Sequence, residues 1–218
     1  LQRSNLSVCG GQLTQPDAFT QGRRISPITM IATSQPRIAV KKEYRTMQKR
    51  ATAEEAFKRK YPEQVVIVTT RSRDGKPNAM AVGWVAIASS EPWMFVLGID
   101  GEAHTLKLIR STREFVVAYP NERMGRETLH VGTRHGGNCN KLKDCGLVLQ
   151  KGKIVRAPLL ADAVANFECK LVRIVTPGDC PLVIGKVVAA HVNRDKAPRR
   201  LCTVAPGYAL KGVRAVRR

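Results

Sequence analysis

The sequence predicts a mainly β chain with short helices, an α+β protein built on antiparallel strands, and three observations carry that expectation. A β-branched run at 65–70 is followed by Asp74-Gly75 and Lys76-Pro77, a residue that tolerates positive φ and then one that cannot pair in a ladder, so a hairpin is expected. After a turn at Ser89-Ser90-Glu91-Pro92, residues 93–99 read as a further strand, giving three antiparallel strands from one continuous segment. Residues 165–175 alternate, with Phe167, Cys169 and Leu171 on one face and Asn166, Glu168 and Lys170 on the other, as in a half-solvated strand. Pro177-Gly178-Asp179 turns the chain back into residues 182–192, almost entirely apolar as a buried strand is.

The 218 residues, 43% of them hydrophobic, suffice for one ordinary domain with tails. No stretch approaches the roughly 20 apolar residues of a membrane-spanning helix. The net charge of +20 suggests nucleic acid at first sight, but more than half of the excess lies in residues 1–46 and 193–218. Aromatics make up only 5%, poor for base stacking, and no nucleic-acid-binding signature is present, so a basic surface that attracts anions is the better reading. A basic nucleic-acid binder on a barrel scaffold is the alternative from another class. Six cysteines without paired spacing argue against a disulfide framework, and with no signal peptide evident a reducing cytoplasm is expected.

Residues 1–46 are Ser-, Thr-, Gln- and Arg-rich with few apolar positions, and no packed structure is expected there. They read as a disordered extension or as translated upstream sequence with the start near Met47. Thr52 with Glu55 three residues later has capping-box spacing for a helix over 53–60, ended by Tyr61-Pro62. On the return strand of the hairpin, Asn78, Met80, Val82 and Trp84 share one face; the other holds Ala79, Ala81, Gly83 and Val85, small residues that suit close packing inside a barrel or something flat. Gly83 is a candidate bulge. Thr105 is a candidate N-cap for a helix to about Thr112 with Leu106 and Ile109 inward, and such an N-terminus suits a phosphate. A strand over 115–119, a helix over 121–131, a glycine-containing loop over 133–138 and a helical turn over 140–144 closed by Gly146 follow. His130, His135, Cys139 and Cys145 fit no closed zinc spacing, so no metal is expected. From Asn193 onward the chain is basic and without periodicity.

The runs VVIVTTRSRDGKPNAMAVGWVAIASSEPWMFVLGI and HTLKLIRSTREFVVAYP, with the later VIGKVVAAHV, resemble the flavin reductase-like, FMN-binding split-barrel proteins, the group of flavoredoxin and small flavin reductases; the likeness runs from Lys58 to Val192. It implies an antiparallel split β-barrel over 47–192, between the N-terminal extension and a basic C-terminal segment. It also implies FMN as cofactor, lying across Asn78, Ala79 and Met80, with Trp84 near the ring and backbone N–H groups around Ser89 and Ser90 at its polar edge. Thr105 and Lys141 then hold the phosphate end, and Tyr208 stands in for a family aromatic near the flavin. The resemblance implies hydride transfer from NAD(P)H to flavin, with electrons passing to an unknown acceptor or redox partner protein, or alternatively a flavoredoxin-like carrier without nicotinamide turnover. It implies a homodimer as well. The chain departs from the family at His135-Gly136, Asn140 and Cys180, where relatives commonly have Ser-Gly, Asp and His. No dinucleotide fingerprint, P-loop or G-x-S-x-G elbow occurs, and no acid–base pair or nucleophile stands out, which fits chemistry carried by a cofactor.

Overall fold

A computed structural model describes residues 48–137, 141–195 and 199–213; the readings made for residues 1–46, Cys139 and Asn140 lie outside them. In chain order the elements are α1 (Ala53–Phe57), β1 (Glu63–Gln64), β2 (Val66–Arg71), β3 (Pro77–Val82), β4 (Val85–Ser90), β5 (Trp93–Gly98), α2 (His104–Thr112), β6 (Glu114–Tyr119), a 3-10 turn (Glu122–Met124) and α3 (Gly125–Thr133). They continue with α4 (Lys141–Cys145), β7 (Leu149–Gln150), β8 (Leu159–Leu160), β9 (Ala165–Val175), β10 (Leu182–Val192), β11 (Leu201–Ala205) and β12 (Ala209–Gly212).

Seven strands form one antiparallel sheet in the order β3-β2-β6-β9-β10-β5-β4. Its two edge strands, β3 and β4, follow one another in the chain with only Gly83 and Trp84 between them. Two residues reach less than about 10 Å, so the sheet curls until its edges meet, which is a barrel split at that bend. The sequence reading of three strands in this segment is corrected to four. What read as one return strand with a candidate bulge at Gly83 is β3, a bend and β4, and β4 pairs with β5 instead of with the hairpin. The register leaves Ser89 and Ser90 inside β4, and the turn falls at Glu91-Pro92.

The alternation of the strands sets the two sides of the barrel wall. Val66, Val68, Leu97, Phe115, Val117 and Cys169 point inward and pack with Leu106 and Ile109 of α2, which plugs the interior. Ile67, Ala79 and Ala118 point outward and are covered by α3 and α4 through Val131 and Leu142. The small residues of β3 therefore meet a helix and not the barrel interior: a Cβ at Gly132 of α3 would lie 3.0 Å from that of Ala81. Thr52 closes its capping box with Glu55 as its spacing predicts, though α1 ends at Phe57. Strands β9 and β10 have the predicted bounds, but two burial readings are corrected. Glu168 and Asn166 are buried because the segment between β7 and β9 covers that face, and the second half of β10 is half-buried to exposed, with Val192 at its end. Strands also occur where no periodicity was visible: β11 pairs with β1 and β12, forming a second small sheet. Among the described residues no helix is long and apolar enough to cross a membrane.

Candidate functional site

Two cavities of about 550 and 310 Å³ lie along β3 and share Met80, Gly132 and Thr133, so together they form one groove between β3 and α3. The larger is lined by Trp84 and Tyr208 with Lys60, Tyr61 and Leu129. The smaller is lined by Thr105, Lys141, His104 and His135 with Asp100 and Glu102.

At the larger end, Trp84 sits on the bend between β3 and β4 and is 58% exposed. Its carbonyl accepts the Gly98 N–H at 2.8 Å. A Cβ at Gly98 would come within 3.2 Å of the Trp84 side chain, so a glycine there lets the indole lie on the β5 backbone. Tyr208 is brought in by the turn between β11 and β12 with φ of 60°, a left-handed conformation uncommon for a bulky residue, and is 72% exposed.

At the smaller end, Lys141 is buried, its Nζ donating to the carbonyls of Val131 at 2.9 Å and Ala79 at 3.3 Å. Those oxygens belong to the last turn of α3 and to β3, so the ammonium is fixed where the helix dipole favours a cation. Thr105 is not the N-cap of α2: Ala103 holds that position without a side-chain bond. The Thr105 hydroxyl is turned inward and accepts from Asn78 Nδ2 at 2.9 Å, and Asn78 Nδ2 also donates to Thr70 Oγ1 at 3.1 Å. Both partners of Asn78 are thus protein hydroxyls, and its role in the groove is to orient Thr105.

His104 and His135 face one another with ring centroids 6.4 Å apart. Burial first, then the charges of His135, Lys141 and Lys107, hold the His104 pKa below 6.5. Burial is the larger cause, and the cations that add to it favour an anion brought beside them. The loop over 134–137 lies so close to β3 that a Cβ at Gly136 would overlap Asn78 Oδ1. Gly136→Ala is expected to cost about 1–3 kcal/mol by forcing the loop or Asn78 aside, a melting shift of roughly 2–10 °C. An unchanged thermal melt would mean that this approach is not constrained.

Of the residues singled out in the sequence, Met80, Trp84, Thr105, Lys141 and Tyr208 line the groove. Asn78 supports Thr105 from beneath, and Ala79 contributes its carbonyl to Lys141 while its side chain faces α3 and α4. Ser89 and Ser90 line neither cavity; β4 carries them away from Trp84 at about 3.3 Å per residue. Cys180, at the turn between β9 and β10, lines neither cavity either; burial and the carboxylates of Asp179 and Asp100 raise its thiol pKa. The sequence reading missed His104 and His135 as groove residues. The position of His104 directly before Thr105 was the available signal, but only the fold shows that the loop carrying His135 returns to it.

A family model for the flavin reductase like domain matches residues 58–208. The chain belongs to that family. An uncharacterised protein of Pyrococcus abyssi is 35% identical over 135 residues, covering 62% of this chain and 77% of the relative. A flavin reductase (NADH) of Kitasatospora aureofaciens is 27% identical over 157 residues, covering 68% and 75%. Among solved structures, an FMN-binding domain of a flavin reductases-like enzyme from Shewanella baltica superposes with a TM-score of 0.62 at 26% identity, covering 72% of this chain and 88% of that one.

Proposed function

We propose that the groove binds FMN, its ring system toward Trp84 and Tyr208 and its phosphate toward Thr105 and Lys141, in an oxidoreductase of the flavin reductase type that uses NAD(P)H. The observation that carries this reading is the groove itself, with Trp84 and Tyr208 at one end and Thr105 and the buried Lys141 ammonium at the other, of a volume within the range of cofactor sites. Bound FMN would supply the hydride and electron chemistry that the side chains lack. The chain's own residues bind and orient. The Lys141 ammonium, held by two carbonyls, offers a fixed charge to a phosphate dianion. Thr105, held by Asn78, lines the same cavity. An anion in this place would offset the cations around His104 and so counter part of the lowering of its pKa. Trp84, backed by Gly98, limits one side of the larger cavity, and Tyr208 limits its mouth.

Nicotinamide as donor is supported by the family and by the relative called a flavin reductase (NADH). A homodimer belongs to the same proposal: Ile87 and Trp93 leave apolar side chains exposed on β4 and β5, next to Ser89 and Ser90, which line neither cavity of their own chain and would meet the edge of an FMN in a partner's groove. A reducing cytoplasm suits the free thiols at Cys145, Cys169, Cys180 and Cys202. Mixing the FMN-loaded protein with NADH or NADPH tests the reaction. Prompt bleaching of the flavin by either is expected, whereas bleaching by dithionite alone would leave an electron carrier in place of a reductase.

A further inference from the structure

A cavity of about 550 Å³ lies between Arg71 of β2 and the segment that joins β7 to β8, and it shares no lining residue with the groove. Two guanidinium groups, of Arg71 and Arg156, are tied there to main-chain oxygens. Arg71 Nε donates to the Arg156 carbonyl at 2.8 Å and its Nη1 to that of Gly75 at 2.6 Å. Arg156 Nη2 donates to the Arg73 carbonyl at 3.3 Å, and Arg73 Nη2 to the Ser111 carbonyl at 3.1 Å. Lys151 and Lys153 line the same cavity.

The carboxylates within reach are committed elsewhere. Glu114 Oε1 accepts the Arg156 main-chain N–H at 2.9 Å. Asp74 accepts from Ser72 and pairs with Lys76 at 3.4 Å. Glu168, under the loop, accepts the N–H groups of Lys153, Ile154 and Val155 and bonds His191. Among the described residues, none of Arg71, Arg73, Arg156, Lys151 and Lys153 forms an ion pair. Four cations, Arg71, Arg156, Lys151 and Lys153, therefore line one cleft without an ion-pair partner, the two guanidinium groups held in place by neutral acceptors. Fixed guanidinium forks match phosphate oxygens, and like charges held together favour a multiply charged anion. No aromatic side chain lines the cleft to stack a base.

We infer that this cleft is a second ligand site, separate from the groove, for a small polyphosphate: a molecule with two or more linked phosphates, such as the diphosphate or triphosphate of a nucleotide. Inorganic tripolyphosphate is the probe, titrated calorimetrically into the full chain with and without excess FMN. One site is expected, weakening as salt rises and unaffected by FMN. Arg156→Gln changes only the side chain, leaving the main-chain bonds in place, and should weaken tripolyphosphate roughly tenfold or more. Lys151→Gln with Lys153→Gln should weaken it as well, at side chains that make no ion pair, while FMN binding stays unchanged in both variants. No binding at low salt, equal binding by the variants, displacement by FMN, or binding of a short nucleic-acid duplex without binding of tripolyphosphate would each overturn the assignment.

Discussion

Replacing Glu168 with alanine is expected to lower stability by about 3–5 kcal/mol, because it removes one buried acceptor from four donors at once. The carboxylate is fully buried on the outer face of β9 and takes the N–H groups of Lys153 at 2.8 Å, Ile154 at 2.7 Å and Val155 at 2.6 Å, with His191 Nε2 at 2.6 Å. Without it the N–H groups of Lys153, Ile154 and Val155 lose their acceptor together, the last of them buried. A melting point lower by on the order of 10 °C follows for a chain of this size. Burial works to raise the pKa of Glu168, but the N–H groups of Val155 and Lys153, the His191 side chain and the Ile154 N–H together bring it below 4.5. A folded pKa below the unfolded one gives stability that is present above the unfolded value and lost as pH falls through the folded value. The gap between wild type and Glu168→Ala is therefore full at pH 7 and narrows below about pH 4. Urea denaturation of both proteins at neutral and acid pH measures it, and equal midpoints at pH 7 would show that the loop finds other acceptors.

Lys141→Ala is expected to weaken FMN by roughly ten- to a hundredfold, the cost of one charge-assisted contact to a phosphate. The fold should lose stability as well, because the Val131 carbonyl in the last turn of α3 and the Ala79 carbonyl of the edge strand β3 lose their donor. The same variant removes one of the cations that hold down the His104 pKa, behind burial and His135 in weight. In the unliganded variant that pKa should move up toward 6.5, which an NMR titration of the imidazole reads directly. Unchanged FMN affinity at low salt would take Lys141 out of the site.

The sequence was most legible where one local rule governs. The capping box at Thr52, the Asp74-Gly75 hairpin and the bounds of β9 and β10 depend on turn chemistry and period, and they are found where expected. It was least legible where a distant segment decides. Glu168 looks solvated by alternation, and only the chain that folds over it, with main-chain N–H groups in need of an acceptor, makes it buried. Gly83-Trp84 reads as a bulge within one strand because nothing local tells that β3 and β4 lie on opposite edges of the sheet, β4 pairing with β5. Thr105 has the chemistry of a cap, but Asn78, 27 residues earlier, takes its hydroxyl inward. The site followed the same division: Trp84, Thr105, Lys141 and Tyr208 meet along one groove, while His104 and His135 join it through a loop return that no spacing announces.

Uptake of one flavin by the groove along β3 is tested most directly by equilibrium titration of the flavin-free protein with FMN, followed by visible absorbance. One FMN per chain, with Lys141→Ala weaker and Arg156→Gln unchanged, is the predicted result. A protein that takes up no FMN, or takes it up with Arg156→Gln and not Lys141→Ala impaired, would contradict it.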